Sequence, residues 1–123
     1  LGAAAVLGVD VGALPEPAAA VREFAGLTAP EGLRIRRDQV GDGYAKLTAP
    51  TAEALTLAAR TAGLVLDPTY TGRAMAGLIA AVRDGDIRPG ERTVFVHTGG
   101  LPGLFGHGEA VAYAEGQVVA YQE

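Results

Sequence analysis

Two short runs of polar, aromatic and glycine residues carry the side chains best suited to chemistry in this sequence. The first is Asp-Pro-Thr-Tyr-Thr-Gly at residues 67–72, and the second is His-Thr-Gly-Gly at residues 97–100. Threonine hydroxyls donate and accept hydrogen bonds, and glycines let a backbone approach a flat or anionic ligand closely. Each pattern alone is also typical of an ordinary turn. Their joint placement favours one shared ligand site.

Each run directly follows a segment that predicts a buried strand, residues 63–66 for the first and residues 93–96 for the second. In an open parallel sheet, ligands bind in the crevice outside the carboxyl ends of the strands. Because both runs begin at such strand ends, we expect them to meet at one edge of the sheet.

The rest of the pattern predicts strands that alternate with helices. The apolar run at residues 3–9 is typical of a strand covered on both faces, and a first helix is expected to begin at Pro17. Thr51 is expected to cap a second helix that ends at Gly63. Thr71 is expected to cap a third helix. Its apolar face consists of Met75, Leu78, Ile79 and Val82.

This alternation predicts an α/β fold, with a parallel sheet that carries helices on both faces and right-handed crossovers. Residues 33–40 are charged and alternating, which indicates an extended edge or a linker. The tail at residues 110–122 contains two alternating runs around a Glu-Gly pair, and it predicts a small hairpin.

Composition and charge exclude several classes of function. The 123 residues suffice for one domain, and a net charge of -4 with one short basic run argues against nucleic acid as a partner. The chain has no cysteine, which excludes disulfides and thiolate metal sites, and no other metal-ligand pair has suitable spacing. The apolar start at residues 1–9 is too short to span a membrane. We therefore expect a soluble, cytoplasmic protein that binds neither metal nor membranes.

The same motifs, taken in chain order, resemble a known family. The motifs that carry the resemblance lie at residues 6–9, 41–44, 58–63, 66–68, 70–77, 97–100 and 101–105. Together they resemble the C-terminal third of the pyridoxal-phosphate enzymes of the D-cysteine desulfhydrase and 1-aminocyclopropane-1-carboxylate deaminase family. This resemblance implies a tryptophan-synthase-β-like fold (fold type II) for residues 1–106, and it leaves residues 107–123 as a tail without an assigned function.

The resemblance also implies roles for five residues. Thr98, with Gly99 beside it, would bind the cofactor as a neutral hydroxyl facing the pyridine nitrogen, where the deaminases carry leucine. Thr71 would bind the cofactor at the position where the deaminases carry glutamate, although it could equally serve only as a helix cap. Tyr44 and Tyr70 would be catalytic residues on the substrate side, or half-buried aromatics that seal a loop. After Tyr44 the sequence continues Ala-Lys-Leu, whereas the family usually continues with glycine and then, one residue on, proline.

The lysine content bears directly on activity, because this family holds its cofactor as a Schiff base with a lysine. Lys46 is the only lysine in the chain, and its place in a loop indicates a surface residue. The chain begins with leucine rather than methionine, within a predicted strand. We therefore expect an upstream portion with the lysine and the phosphate-binding loop, and we expect the isolated chain to be inactive.

The sequence predicts a structural role for one histidine and no defined role for the other. His97, between a predicted strand and a Gly-Gly turn, is expected to bind backbone rather than act as a base. His107 lies in a predicted loop and has no evident partner in the sequence.

By resemblance, the activity is α,β-elimination from D-cysteine or a related small amino acid, giving pyruvate, ammonia and sulfide, in a homodimer of the full-length protein. Neutral hydroxyls at the cofactor suit this reaction, because the departing group removes the negative charge. Two alternatives stay open. The chain could be a non-catalytic remnant that acts as an interaction module, or it could belong to a 1-aminocyclopropane-1-carboxylate deaminase.

Overall fold

A computed structural model describes residues 6–26 and 33–119 of the chain. Within these ranges, helices and two short strands alternate along the first part of the chain, and the second part is helical. In chain order the elements are β1 (Leu7–Val9), α1 (Pro17–Phe24), β2 (Arg34–Arg36), α2 (Ala49–Ala62), α3 (Thr71–Arg83), α4 (Leu101–Phe105) and α5 (Gly108–Val119).

The two strands form a small parallel sheet, in which Leu7 is opposite Arg34 and Val9 is opposite Arg36. The ladder continues beyond β1, where the N–H of Asp10 donates to the carbonyl of Arg36 at 2.8 Å. The connection contains α1, as parallel pairing requires. The prediction of a strand at residues 3–9 is confirmed for Leu7–Val9, and residues 3–5 lie outside the described ranges. The extended segment predicted at residues 33–40 contains β2.

Helices α2 and α3 pack against each other, and α3 also packs on β1. Apart from Arg73, the buried side chains of this pair are small, which lets the helix axes come close. They include Ala52, Ala54, Ala58, Ala76 and Ala81. Gly77 of α3 lies directly against Val9, because a Cβ at Gly77 would be 2.6 Å from the Cγ2 of Val9. Close contact with the sheet therefore requires glycine at this position.

Helix boundaries follow local capping chemistry. The hydroxyl of Thr48 accepts from the N–H of Thr51 at 3.3 Å, so α2 begins earlier than the predicted cap at Thr51. Gly63 ends α2 with a φ of 64°, as predicted, because glycine adopts the left-handed conformation without a steric penalty. Pro17 begins α1, as predicted. Thr71 is the first residue of α3 rather than its predicted cap, because Tyr70 occupies the N-cap position.

The strands predicted at residues 63–66 and 93–96 do not pair in a sheet within the described part of the chain. Val94 and Val96 are 86% and 73% exposed, and Val65 is 44% exposed. An apolar run becomes a buried strand only where neighbouring strands and covering helices are available. The parallel sheet is therefore smaller than the sequence predicts, although the mixed helix and strand content is confirmed.

Up to residue 119 the tail forms helix α5, so the prediction of a hairpin was wrong there. Residues 120–122 of that prediction lie outside the described ranges. Four residues of α5 line one cavity at the i, i+3, i+4 and i+7 spacing of a helix: Ala110, Tyr113, Ala114 and Gln117. Ala110 is 1% exposed. Alanine, glutamate and glutamine also have good intrinsic helix propensity, which outweighs the apparent alternation. None of the helices in the described ranges is long and apolar enough to cross a bilayer.

Candidate functional site

The carboxylate of Asp67 organises the start of α3. Its Oδ2 accepts from the backbone N–H groups of Thr69 at 2.8 Å and Tyr70 at 2.7 Å. Its Oδ1 accepts from both the N–H (2.8 Å) and the hydroxyl (2.7 Å) of Thr71. Burial acts to raise the pKa of Asp67, but these hydrogen bonds outweigh it and lower the pKa. Asp67 is therefore an ionised carboxylate fixed at a helix N-terminus, where negative charge is favourable.

The Thr71 hydroxyl is committed to the same turn. Besides donating to Asp67, it accepts from the Asp67 N–H at 2.9 Å, and the residue is 2% exposed. A threonine hydroxyl has one hydrogen to donate, and here that hydrogen points to Asp67. The role of this hydroxyl is therefore structural. It is not the predicted helix cap, because Tyr70 occupies the N-cap position and the Thr71 hydroxyl binds Asp67 rather than a free N–H of α3. A direct contact between Thr71 and a cofactor stays a prediction.

Tyr44 and Tyr70 come together although they lie far apart in sequence. Their hydroxyl groups are hydrogen-bonded to each other, and their rings meet edge to face with centroids 6.1 Å apart. Each tyrosine is about half exposed, at 47% and 49%. The hydrogen bond with Tyr70 is the main cause that raises the pKa of Tyr44. The pair therefore presents two adjacent, hydrogen-bonded phenols to solvent.

Arg73 supports the turn that carries Tyr44. The side chain is fully buried, and its Nη1 donates to the carbonyl of Val11 at 2.6 Å. Its Nη2 donates to the carbonyls of Gly43 at 2.6 Å and Lys46 at 2.7 Å, on the two sides of Tyr44. Arg73 was not among the residues expected at the site. The available signal was a single charged residue in the first turn of a helix whose other face is apolar.

The second predicted run meets the first at Asp67. A Cβ on Gly100 would overlap the Asp67 carboxylate, and the φ of Gly100 is 120°. His97 Nδ1 accepts from the N–H of Gly99 at 3.0 Å, which leaves His97 Nε2 to donate to the carbonyl of Val65 at 3.1 Å. His97 thus binds backbone on both sides, as predicted.

Thr98 and Gly99 lie on the exposed side of this loop. The φ of Gly99 is 106°, and the space where its Cβ would stand is open. No hydrogen-bond partner for the Thr98 hydroxyl occurs among the residues that the structure describes. The loop therefore presents a hydroxyl and a bare backbone outward, and it joins the tyrosine-bearing run through Asp67.

His107 connects α5 to the turn of Tyr44, contrary to the expectation that it has no partner. Its Nδ1 accepts from the N–H of Ala110 at 3.3 Å, and its Nε2 therefore donates to the carbonyl of Ala45 at 2.7 Å. Ala45 has a φ of 58°, which is uncommon for a residue with a Cβ. The hydrogen bond from His107 therefore stabilises the unfavourable backbone conformation of Ala45 from outside its turn. Sequence spacing contains no signal for it.

Lys46 is exposed, in agreement with its prediction as a surface residue, and its backbone carbonyl is the part that Arg73 binds. No cluster of three or more residues that could hold a metal ion occurs among the described residues. The candidate site thus consists of a tyrosine pair, a Thr-Gly loop and the Asp67 turn that joins them.

Comparison with known proteins identifies relatives over most of the chain. No protein-family model matches it. A 1-aminocyclopropane-1-carboxylate deaminase of Burkholderia ambifaria is 36% identical over 115 residues, covering 85% of this chain and 34% of that protein. A protein of the same name from Bradyrhizobium is 34% identical over 113 residues, covering 83% of this chain and 33% of that protein.

The chain therefore spans about a third of the length of the curated relatives that it matches. Because the match covers 85% of the chain, it includes the Asp67 turn, the tyrosine pair and the Thr-Gly loop, and the resemblance seen in the sequence motifs is confirmed. The chain belongs to the family of pyridoxal-phosphate enzymes that comprises the 1-aminocyclopropane-1-carboxylate deaminases and the D-cysteine desulfhydrases.

Proposed function

We propose that this chain forms the substrate side of a pyridoxal-phosphate-dependent lyase site. The observation that carries this proposal is the direct hydrogen bond between the hydroxyls of Tyr44 and Tyr70. Half-exposed tyrosines on a rigid helix start and a supported turn are unusual as packing residues, because a buried role would hide their rings. They are instead suited to orienting a small polar substrate.

The residues at the site fit one side of the cofactor. Thr98 offers an exposed hydroxyl, Gly99 offers an open backbone, and the nearby carboxylate of Asp67 is already occupied by four donors. A neutral hydroxyl is therefore the group available to face a pyridine nitrogen. When bound, pyridoxal phosphate supplies an electron sink for charge at the substrate Cα. In the proposed enzyme, the covalent lysine and the phosphate-binding groups come from outside this chain.

The protonation state of Tyr44 suits this task. Its raised pKa keeps the phenol protonated near pH 7, so that it donates a hydrogen bond rather than acts as a base. One proton lies between the two Oη atoms, which leaves the other hydroxyl hydrogen free to bind substrate. The pair can therefore orient an amino acid and relay a proton between the Oη atoms.

The reaction that we propose is α,β-elimination from D-cysteine or a related small amino acid, giving pyruvate, ammonia and sulfide. Threonine at positions 71 and 98, where the deaminases carry glutamate and leucine, supports this assignment. The second candidate is deamination of 1-aminocyclopropane-1-carboxylate. The names of the matched relatives favour it.

The two reactions differ in their products, and this difference gives the test. The protein that contains this chain is loaded with pyridoxal phosphate and given each amino acid in turn. Sulfide and pyruvate from D-cysteine support the elimination, whereas 2-oxobutanoate from the cyclopropane substrate supports the deamination. Tyr70→Phe is expected to lower the rate at least about tenfold, while Tyr113→Phe, a tyrosine of α5 outside the site, is the matched control. If neither substrate turns over, the lyase proposal is wrong.

A non-catalytic interaction module is the third candidate, and one specific feature favours it. An apolar cavity of about 530 Å³ opens between α2, residues 64–66 and α5, away from the tyrosine pair. Exposed apolar side chains lie on the adjacent segments, at Val94, Val96 and Phe105. Concentration-dependent association without a bound cofactor would favour this alternative over the lyase.

A further inference from the structure

We propose that Arg73 is a positioning residue that sets the contact between Tyr44 and Tyr70. The inference concerns the geometry of the chain itself. It rests on the proposed function only for its catalytic consequence, because the tyrosine pair is then the substrate-orienting group.

The guanidinium of Arg73 binds only backbone carbonyls among the described residues. An arginine that is fully buried must have hydrogen-bond acceptors, because an unpaired buried charge is strongly unfavourable. All three acceptors of Arg73 are backbone carbonyls, and two of them belong to Gly43 and Lys46. One nitrogen, Nη2, therefore bridges both ends of the turn that carries Tyr44.

The turn that carries Tyr44 is only weakly stabilised by its own hydrogen bonding. Its own backbone hydrogen bond, from the N–H of Lys46 to the carbonyl of Gly43, is long at 3.4 Å. Ala45 at its centre has a φ of 58°, which is unfavourable for a residue with a Cβ. Contacts from outside are therefore needed, and Arg73 and His107 supply them.

The contacts that hold Tyr44 and Tyr70 both come from the start of α3. Tyr70 immediately precedes α3, where Asp67 holds its N–H, and Arg73 lies in the first turn of the same helix. The helix start thus fixes Tyr70 directly and fixes Tyr44 through Arg73. The start of α3 therefore sets the distance between the two hydroxyls. Each tyrosine is half exposed, so packing around its own ring holds it less firmly.

The test uses Arg73→Lys, which retains the positive charge but replaces the planar fork with a single nitrogen. Arg83→Gln is the matched control, since Arg83 lies on the same helix, is exposed and pairs only with Glu53 among the described residues. Proteins with isotope-labelled tyrosine are titrated by NMR. In Arg73→Lys we expect loss of the ring-to-ring cross-peak between Tyr44 and Tyr70. We also expect the pKa of Tyr44 to fall toward its ordinary value, because the hydrogen bond with Tyr70 is what raises it.

A folded Arg73→Lys protein that retains both the cross-peak and the raised pKa would overturn the proposal. A second measurement avoids the risk that the variant does not fold. In the unaltered protein with labelled arginine, the Nη protons of Arg73 are expected to give separate, slowly exchanging signals, because carbonyls hold both nitrogens. A single averaged signal would equally overturn the proposal.

The catalytic consequence is tested in the cofactor-loaded protein. Arg73→Lys is expected to lower kcat roughly ten- to a hundredfold, with a smaller change in KM, because misplacement of an orienting group mainly affects the reacting geometry. The NMR experiments need neither cofactor nor substrate. Their failure would leave the lyase proposal standing, and an inactive protein with an intact tyrosine contact would overturn only the lyase proposal.

Discussion

The hydroxyl of Thr71 and the carboxylate of Asp67 form a reciprocal pair at the start of α3. The hydroxyl donates to Asp67 Oδ1 at 2.7 Å and accepts from the Asp67 N–H at 2.9 Å. Both residues are almost fully buried, at 2% and 1% exposed. This pair fixes the backbone on which Tyr70 stands, and it uses the only carboxylate of that turn. Because the carboxylate is occupied, the neighbouring loop offers a ligand only the neutral hydroxyl of Thr98 and the backbone of Gly99.

Thr71→Val tests the structural part of this pair, because valine has a similar shape but no hydroxyl. We expect the free energy of unfolding to fall by about 1–3 kcal/mol, since the Asp67 N–H loses its acceptor in a buried place. Thr71→Ser keeps the hydroxyl and is expected to cost less. Urea unfolding of the three proteins gives the comparison. Equal stabilities for the valine variant and the unaltered protein would contradict the pairing.

Asp67→Asn is expected to destabilise the protein in a way that depends on pH. The pKa of Asp67 is lowered in the folded state, so the carboxylate stabilises the fold fully above its unfolded-state pKa. That stabilisation is lost as the pH falls through the folded-state pKa. The difference between Asp67→Asn and the unaltered protein should therefore be about 1–3 kcal/mol near neutral pH and shrink in acid.

The measurement is denaturant unfolding of both proteins at neutral pH and at a series of acidic pH values. Asp42→Asn, in an exposed turn, is the control and is expected to change stability by less than about 0.5 kcal/mol at neutral pH. A stability difference for Asp67→Asn that widens as the pH falls would show that the sign is wrong.

Gly100→Ala is expected to separate the two runs that form the site. The new Cβ would overlap the Asp67 carboxylate, and the φ of 120° is unfavourable for alanine. Gly99→Ala shares the unfavourable φ, at 106°, but its Cβ would enter open space. Backbone strain should cost both variants about 1–3 kcal/mol, and the overlap should make Gly100→Ala the less stable one. Thermal unfolding of the two variants tests this order, and the reverse order would refute the close approach.

Ala45→Gly is expected to stabilise the protein by up to about 1 kcal/mol, because glycine adopts a φ of 58° without strain. The greater conformational freedom of glycine in the unfolded chain partly offsets this gain. The control is Ala59→Gly, on the exposed side of α2, where the same substitution should destabilise by about 1 kcal/mol. Chemical unfolding of the two variants should therefore give changes of opposite sign. Destabilisation of both would mean that Ala45 is not strained.

The sequence alone determined those parts of the protein that depend on short-range patterns. The apolar spacing of α3, the proline at the start of α1 and the glycine at the end of α2 act between residues within a turn or two, and all three helices formed. The face of α3 that is buried is nevertheless that of Ala76, Gly77 and Ala81, whereas Val82 of the predicted apolar face is exposed. The ordered motifs also identified the family. Even the structural role of His97 followed from its position beside two glycines, which are free to bring their backbone to its ring.

Only the tertiary structure decided which distant segments meet. Arg73 binds carbonyls that are 62, 30 and 27 residues away, and His107 binds one 62 residues away. Every residue has the same backbone carbonyl, so the sequence contains no signal that marks these acceptors. The strands predicted at residues 63–66 and 93–96 depend on neighbours in the same way, because pairing needs a second strand at the correct distance. The tyrosine pair was expected by resemblance, but its contact depends on the buried guanidinium that joins the turn to the helix.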